Sequence, residues 1–490
     1  MMDSSKNNLA KPESLLGMLQ RGRGKGYLAA LEAAPETVWP LLLECVTNDP
    51  RLDRQCENRA EYYAGLIADV GMSLELLQHH LKQNDAREID LGYRVNLPLE
   101  TLVCMAQRGS LGAAEILRDY VSFGKDWAWI VMFLGELDAP AALEGIDEVL
   151  CRRMEKEASF RESSRENIEN ACSWYYRLYV RGETESLDVP LPMREPWKTL
   201  SQKNPDFAQR FADLGVTCDP PSSRKENFSE EYLAGLSLVD LFSLVDESNR
   251  ITFWRILPEK VSPEDEDYLL HQLATGDPHR MILAFRGLGE LGTPQAFDAV
   301  KAYIEGSEDA DRKVRLRAVL AIEEMPGSLT LDTARQWFRR REHHLQIPAG
   351  GILENHATLE DVPLLIEALR TAETLRGEDF RLSSALDALA RFDGFGWIPE
   401  LEQVFCEAQD CFWRYRAAKA MAATAPIEFT SRHAFECLWD CHDDTRALGC
   451  EMVNLSTPRA LERLREIATD GNDHEDVQQA AVKRLEESML

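Results

Sequence analysis

Basic residues are scarce in this chain: 55 Lys and Arg stand against 84 Asp and Glu, a formal charge of −29. Phosphate neutralisation supplies most of the affinity for nucleic acid. The deficit therefore argues against nucleic acid as a partner and favours encounter with a basic protein face. Long apolar runs are also missing. The longest, Trp127–Leu134, is too short to span a bilayer, so no membrane insertion is expected. No apolar stretch follows Lys6 and Lys11, so no secretory leader is expected either. The 11 cysteines show no paired spacing, which suits a reducing, cytoplasmic setting without native disulfides. There is no Gly-x-Ser-x-Gly elbow, no His-Glu-x-x-His helix and no dinucleotide fingerprint. No catalytic residue, cofactor or metal is expected.

What the chain does contain is repetition. Leu134-Gly135-Glu136-Leu137-Asp138-Ala139-Pro140-Ala141-Ala142-Leu143 is echoed 154 positions later by Leu288-Gly289-Glu290-Leu291-Gly292-Thr293-Pro294-Gln295-Ala296-Phe297, with six of the ten positions identical. The apolar positions stay in step beyond the echo, Ile146, Val149 and Leu150 matching Val300, Tyr303 and Ile304. Each copy reads as a helix ending in a Gly-containing turn, followed by a second helix with Pro near its first turn. Further units open at Arg280–Leu288, Val314–Ile322, Phe380–Ala390 and Trp413–Ala423, with Ala284 and Ala318 34 residues apart and Ala385 and Ala417 32 apart. A divergent unit fits around Gly350–Leu369, and the final two around Thr445–Val453 and Val477–Leu485. A period in the low thirties accommodates two helices and two short turns. Small residues such as Ala284, Ala318 and Ala418 let helices approach closely, and Asp311 and Asp410 stand where an acid favours a helix start.

The run Asp311–Ala318 (Asp-x-x-Val-Arg-x-x-Ala) and the turn Gly292–Ala296, echoed at Ser456–Ala460, resemble the HEAT-repeat superfamily, in particular its short bacterial repeats. The resemblance covers the chain well from Asp267 onward. It implies an all-α fold, a right-handed α-α superhelix of stacked helical hairpins, an armadillo-type α solenoid.

The expected organisation is a flexible terminus over 1–13, a helical-repeat array over 14–181, a connecting segment over 182–228, and a HEAT-like array over 229–490. The connector is set by six prolines, Pro190, Pro192, Pro196, Pro205, Pro220 and Pro221, with Trp197, Phe207 and Phe211 as anchors. Just before it, Cys172–Val180 reads as a buried aromatic helix.

Four local clusters have functional readings, each with a plainer one beside it. Arg21–Gly26 looks phosphate-friendly but lacks the Gly-Lys-Ser/Thr ending, and reads as a basic, flexible turn before a helix. Cys406, Cys411, Cys437, Cys441 and Cys450 crowd with His433 and His442, and Cys437 and Cys441 sit i, i+4 on an expected helix. Core packing explains them better than a metal. Trp337 with Arg339, Arg340 and Arg341 forms the most basic short run, either an interface or a helix end whose cations meet the dipole. Trp413, Arg414 and Arg416 are the second interface candidate, against inter-repeat packing. Arg315, Arg317, Arg381 and Arg416 are expected to pack by their stems.

The functional expectation is a non-catalytic protein–protein interaction scaffold, an acidic protein whose solenoid groove takes another protein with a basic surface. The alternative is an enzyme on a HEAT-like fold, similar to chromophore lyases or, less in keeping with the charge, to DNA glycosylases.

Overall fold

The computed structural model of the chain describes residues 9–51, 59–83, 96–137, 142–157, 160, 163–165, 167–168, 195–214, 232, 235–246, 250–306, 311–340, 342–372 and 380–487. Among these residues there are helices, turns and no strands. The expected aromatic helix Cys172–Val180 and Arg341 lie outside them. So do Pro190, Pro192, Pro220 and Pro221, and all but the last few residues of the 1–13 terminus.

The chain forms two compact units. One comprises Met1–Ser222, Ala408–Tyr415 and Phe429–Leu490; the other comprises Ser223–Glu407 and Arg416–Glu428. This is not the linear division expected from the proline-rich stretch. The C-terminal helices belong with the N-terminal half, and the second unit is drawn from the middle of the chain. The described part of the 182–228 connector is itself helical, Glu195–Lys203 and Pro205–Asp213, because Pro205 sits in the first turn, where no N–H is missed. Trp197 and Phe207 are buried there, as their anchor role requires.

The middle unit is the regular one. Its helices Pro278–Leu291, Arg312–Glu324, His343–His356 and Phe380–Leu389 pack each against the next. Asp277 and Asp311 accept hydrogen bonds from the second and third helical N–H groups, and Gly292 takes the left-handed conformation, φ 55°, that closes the first helix. Ala284, Ala318, Ala349 and Ala385 are fully buried at the contacts, flanked by Leu283, Ile322, Leu353 and Leu386. Each such Leu or Ile contributes roughly 2 kcal/mol by leaving water. The divergent unit is present as His343–His356 and Val362–Thr371. Its mid-helix Gly350 lies where a Cβ would fall 2.2 Å from Ser384 Oγ, so a larger residue there would force the Ser384 side chain to move.

Arginines knit the repeats together. Arg317 lies 4.3 Å from the centre of the Trp254 ring and Arg381 5.2 Å from that of Phe338. Arg286 pairs with Glu324, Arg335 with Asp361 at 2.6 Å, and Arg416 with Asp387 at 3.2 Å. Glu290, Glu323, Glu354, Asp387 and Lys419 recur at intervals of 33, 31, 33 and 32, the repeat period itself. Burial, with Glu354 and Glu324 close by, pushes the Glu323 carboxyl up to about 7.

The other unit joins the two ends of the chain. Its early helices, Leu15–Gln20, Gly24–Glu32, Pro35–Thr47, Ala60–Asp69 and Leu97–Gln107, meet late ones, Ala434–Cys437, Asp443–Met452 and Pro458–Thr469. The joint runs through the Arg21–Gly26 segment. The Gly22 carbonyl accepts a hydrogen bond of 2.9 Å from the Cys441 N–H. Arg23 is buried and pairs with Glu436 at 3.1 Å. A Cβ on Gly24 would fall 1.8 Å from the Glu436 carbonyl oxygen, so only glycine allows this backbone approach. The buried guanidinium of Arg59 donates to the carbonyls of Gln20 and, at 2.7 Å, Gln409. The glycines of this motif thus serve chain packing rather than a phosphate, and the segment is a packed helix start, not a loose turn.

Candidate functional site

Three interface candidates named from sequence are interior. Trp337 is 2% exposed and donates its indole N–H to Glu305 at 3.0 Å. Trp413 is buried, and Arg414 is fully buried in a two-pronged pair with Asp440, Nε at 2.8 Å and Nη2 at 2.9 Å. Arg339 and Arg340 are exposed at a helix end, where Arg339 donates to the Arg335 carbonyl and Arg340 pairs with Glu342. Arg416 is tied to Asp387. The sequence runs therefore supply inter-repeat and helix-end contacts, not one surface.

The cysteine cluster is also rearranged. The expected helix through Cys437 and Cys441 ends at Cys437, and Cys441 lies in the segment that bonds Gly22. The His433 ring is 2.9 Å from Glu436 and the His442 ring stacks on Tyr415. Among the described residues no group of three or more His, Cys, Asp or Glu is placed to hold a metal ion.

A site that the sequence did not suggest lies where the chain ends meet. It is a cleft of about 520 Å³. The early helices contribute Tyr27, Glu61, Asp69, Arg108 and Ser110; the late ones contribute Trp439, Asp440, Arg446, Arg463, Glu466, Asp470 and Asp473. Gly109, φ 88°, turns the chain at the rim after Leu97–Gln107.

Most of its polar groups are already paired. The Tyr27 hydroxyl donates to Asp69 at 2.6 Å, and burial together with that carboxylate raises the phenol well above its usual range. Arg446 holds Asp443 at 2.6 Å, Asp473 at 2.7 Å and the Asp440 carbonyl at 3.0 Å. Arg463 pairs with Glu466 at 3.0 Å and lies over the Trp439 ring. Arg108 reaches only to within 3.8 Å of Asp470. Glu61 is the exception, receiving no hydrogen bond from the described residues. Burial and the nearby Asp443 and Asp473 push its carboxyl up against the opposing pull of Arg446 and Arg108. The lining holds six carboxylates (Glu61, Asp69, Asp440, Glu466, Asp470, Asp473) and three guanidiniums (Arg108, Arg446, Arg463), a formal −3.

No periodic signal could have found this cleft, because its walls come from opposite ends of the sequence and share no repeat register. The only pointer was indirect, the Arg21–Gly26 glycines that permit the ends to touch.

A family model described as the Vitellogenin TPR domain matches residues 223–335, which fall in the regular unit. No curated protein matches the chain. A crystal structure of an engineered protein aligns over 95% of this chain and 99% of its own at 13% identity, with a TM-score of 0.24. No helix among the described residues is long and apolar enough to cross a membrane. The chain is an all-α protein of helical-repeat build, and the family match falls on its most regular part.

Proposed function

We propose that the protein is a non-catalytic scaffold of HEAT-type repeats whose acid-lined cleft receives a basic side chain of a protein partner. Glu61 carries this reading: a carboxylate held in a cleft of net negative charge with no donor of its own is a receptor for an incoming guanidinium or ammonium. The excess of acid over the whole chain would draw a basic partner by long-range attraction. A non-catalytic role is supported by the pairing around it, since Tyr27, Arg446 and Arg463 are held in internal bonds. The HEAT assignment is supported by the 34-residue spacing of Ala284 and Ala318 and the 32-residue spacing of Ala385 and Ala417.

The test is kinetic. A partner isolated with the intact protein should associate more slowly as ionic strength rises. Glu61→Gln and Asp470→Asn should each weaken binding about tenfold, the scale of one charge-assisted hydrogen bond. Association indifferent to salt and to both substitutions would refute the cleft as the site. Micromolar affinity for duplex DNA at physiological salt would refute the partner class.

A further inference from the structure

The cleft does not end at Glu61. A second hollow of about 380 Å³ adjoins it, and Glu61 and Arg108 line both. The two residues come from helices that pack together: Glu61 lies in the first turn of Ala60–Asp69, and Arg108 caps the end of Leu97–Gln107. Gly65 stands one turn beyond Glu61 on the same helix face. A Cβ on Gly65 would fall 3.3 Å from Arg108 Nη1 and 3.1 Å from the Tyr27 hydroxyl. The guanidinium therefore lies over bare backbone, roughly 6 Å along the helix axis from the position of Glu61.

Arg108 is the cleft's unused cation. Its guanidinium donates no hydrogen bond among the described residues, and Asp470, at 3.8 Å, is too far to accept one. Its side chain is 31% exposed, so a ligand that enters the cleft reaches it directly. A basic side chain bound to Glu61 leaves these donors idle. An anion arriving by itself is opposed by the formal −3 of the lining. A carboxylate that arrives together with a cation meets neither objection, because each charge finds its opposite.

We propose that the cleft reads the C-terminal end of its partner, a terminal Arg or Lys whose side chain meets Glu61 and whose free α-carboxylate meets Arg108. This terminus reading rests on the cleft as the partner site and adds a second contact to it. One basic residue at a chain end carries both charges, joined by a flexible aliphatic stem. The planar guanidinium of Arg108 is the donor fork that suits a carboxylate. The second hollow, with Gln107, Leu137 and Asn472 on its wall, takes the chain that leads up to the terminal residue. Gln107 and Asn472 bring side-chain amides, which can both donate to and accept from a peptide backbone. A free amino acid would leave that space empty.

The test uses the intact protein and synthetic peptides, with binding followed by calorimetry. The probes are N-acetylated Gly-Ser-Gly-Ser-Gly-Arg as the free acid, the same peptide as the C-terminal amide, and a free acid ending in Ala. The free acid ending in Arg should bind, and the amide should bind about tenfold more weakly, the scale of one charge-assisted hydrogen bond. The peptide ending in Ala should lose at least as much. Arg108→Gln should bring the free acid down to the level of the amide and leave the amide unchanged, whereas Glu61→Gln should weaken both. Equal binding of acid and amide, with both weakened by Glu61→Gln, overturns the terminus proposal and leaves the cleft reading standing. Failure of every peptide to bind at millimolar concentration also overturns it, and the cleft reading is then decided by the salt dependence of the partner. Free arginine binding as tightly as the peptide would overturn it in favour of an amino-acid site. The comparison of acid with amide on the wild type decides even if a variant does not fold.

Discussion

In the unit spanning 223–407 and 416–428, most ion pairs keep at least one partner near the surface and join neighbouring helices or repeats. In the unit joining 1–222 with 408–415 and 429–490, several are buried in ion pairs, and some of these join residues hundreds of positions apart. Arg370 and Glu400 of the first illustrate one regime, 30 residues apart with the arginine more than half exposed. Arg414 with Asp440, and Arg23 with Glu436, illustrate the other, the latter separated by 413 residues. The difference follows from construction. A regular repeat buries Ala, Leu and Ile against its neighbour and needs no interior ions. A joint between non-equivalent ends has no shared apolar register, so hydrogen-bonded ions and close glycine contacts hold it in place. Such pairs specify a geometry more than they stabilise it, because desolvation offsets their attraction.

The largest effect should come from breaking a buried pair. Asp440→Asn leaves Arg414 charged, buried and half-satisfied, and should lose about 3–5 kcal/mol in urea unfolding. Within the regular unit the sensitive position is apolar: Ala318→Arg forces a charge into a fully buried repeat contact and should cost a few kcal/mol. Equal melting temperatures for Ala318→Arg and wild type would show the repeat register to be wrong.

The carboxylate ladder gives a smaller effect with a definite sign. The folded-state pKa of Glu323 lies above its unfolded value, so the folded state binds the extra proton between roughly pH 4.5 and 7. Stability from this group is then lost as pH rises through that window. Glu323→Gln should stabilise the protein at pH 8 by on the order of 1–2 kcal/mol after screening, and flatten the dependence below pH 7. A variant that is less stable at pH 8 would exclude the buried, like-charged setting of Glu323. At the low end, Arg370→Ala should cost under about 1 kcal/mol, and a larger loss would erase the contrast between the units.

The regular unit was legible because its signals are local. The alanine spacing, the Asp311 cap and the Gly292 turn lie within one or two helices of what they specify, and the structure has each of them. The joint was not legible. Trp413-Arg414 has the composition of an interface hot spot, and only Asp440, 26 residues on, reveals a core ion pair. Arg21–Gly26 looked like a solvated basic turn because its partners, Glu436 and Cys441, lie more than 400 positions away. The i, i+4 spacing of Cys437 and Cys441 fits one helix, yet the chain leaves the helix after Cys437 to meet Gly22. Tertiary pairing prevails over local periodicity at these places, and its only trace in the sequence is the indirect one of the Arg21–Gly26 glycines.

The central claim is that the two ends of the chain close on each other and thereby build the cleft. A double-mutant cycle between Arg23→Met and Glu436→Gln tests it most directly, with stability measured for wild type, both single variants and the double. The buried pair at 3.1 Å predicts a coupling of about 1.5–3 kcal/mol, each single variant being worse than the double would require by addition. Strictly additive losses would mean that Arg23 and Glu436 do not meet in solution, and the cleft between Tyr27, Glu61 and Asp470 would lose its structural basis.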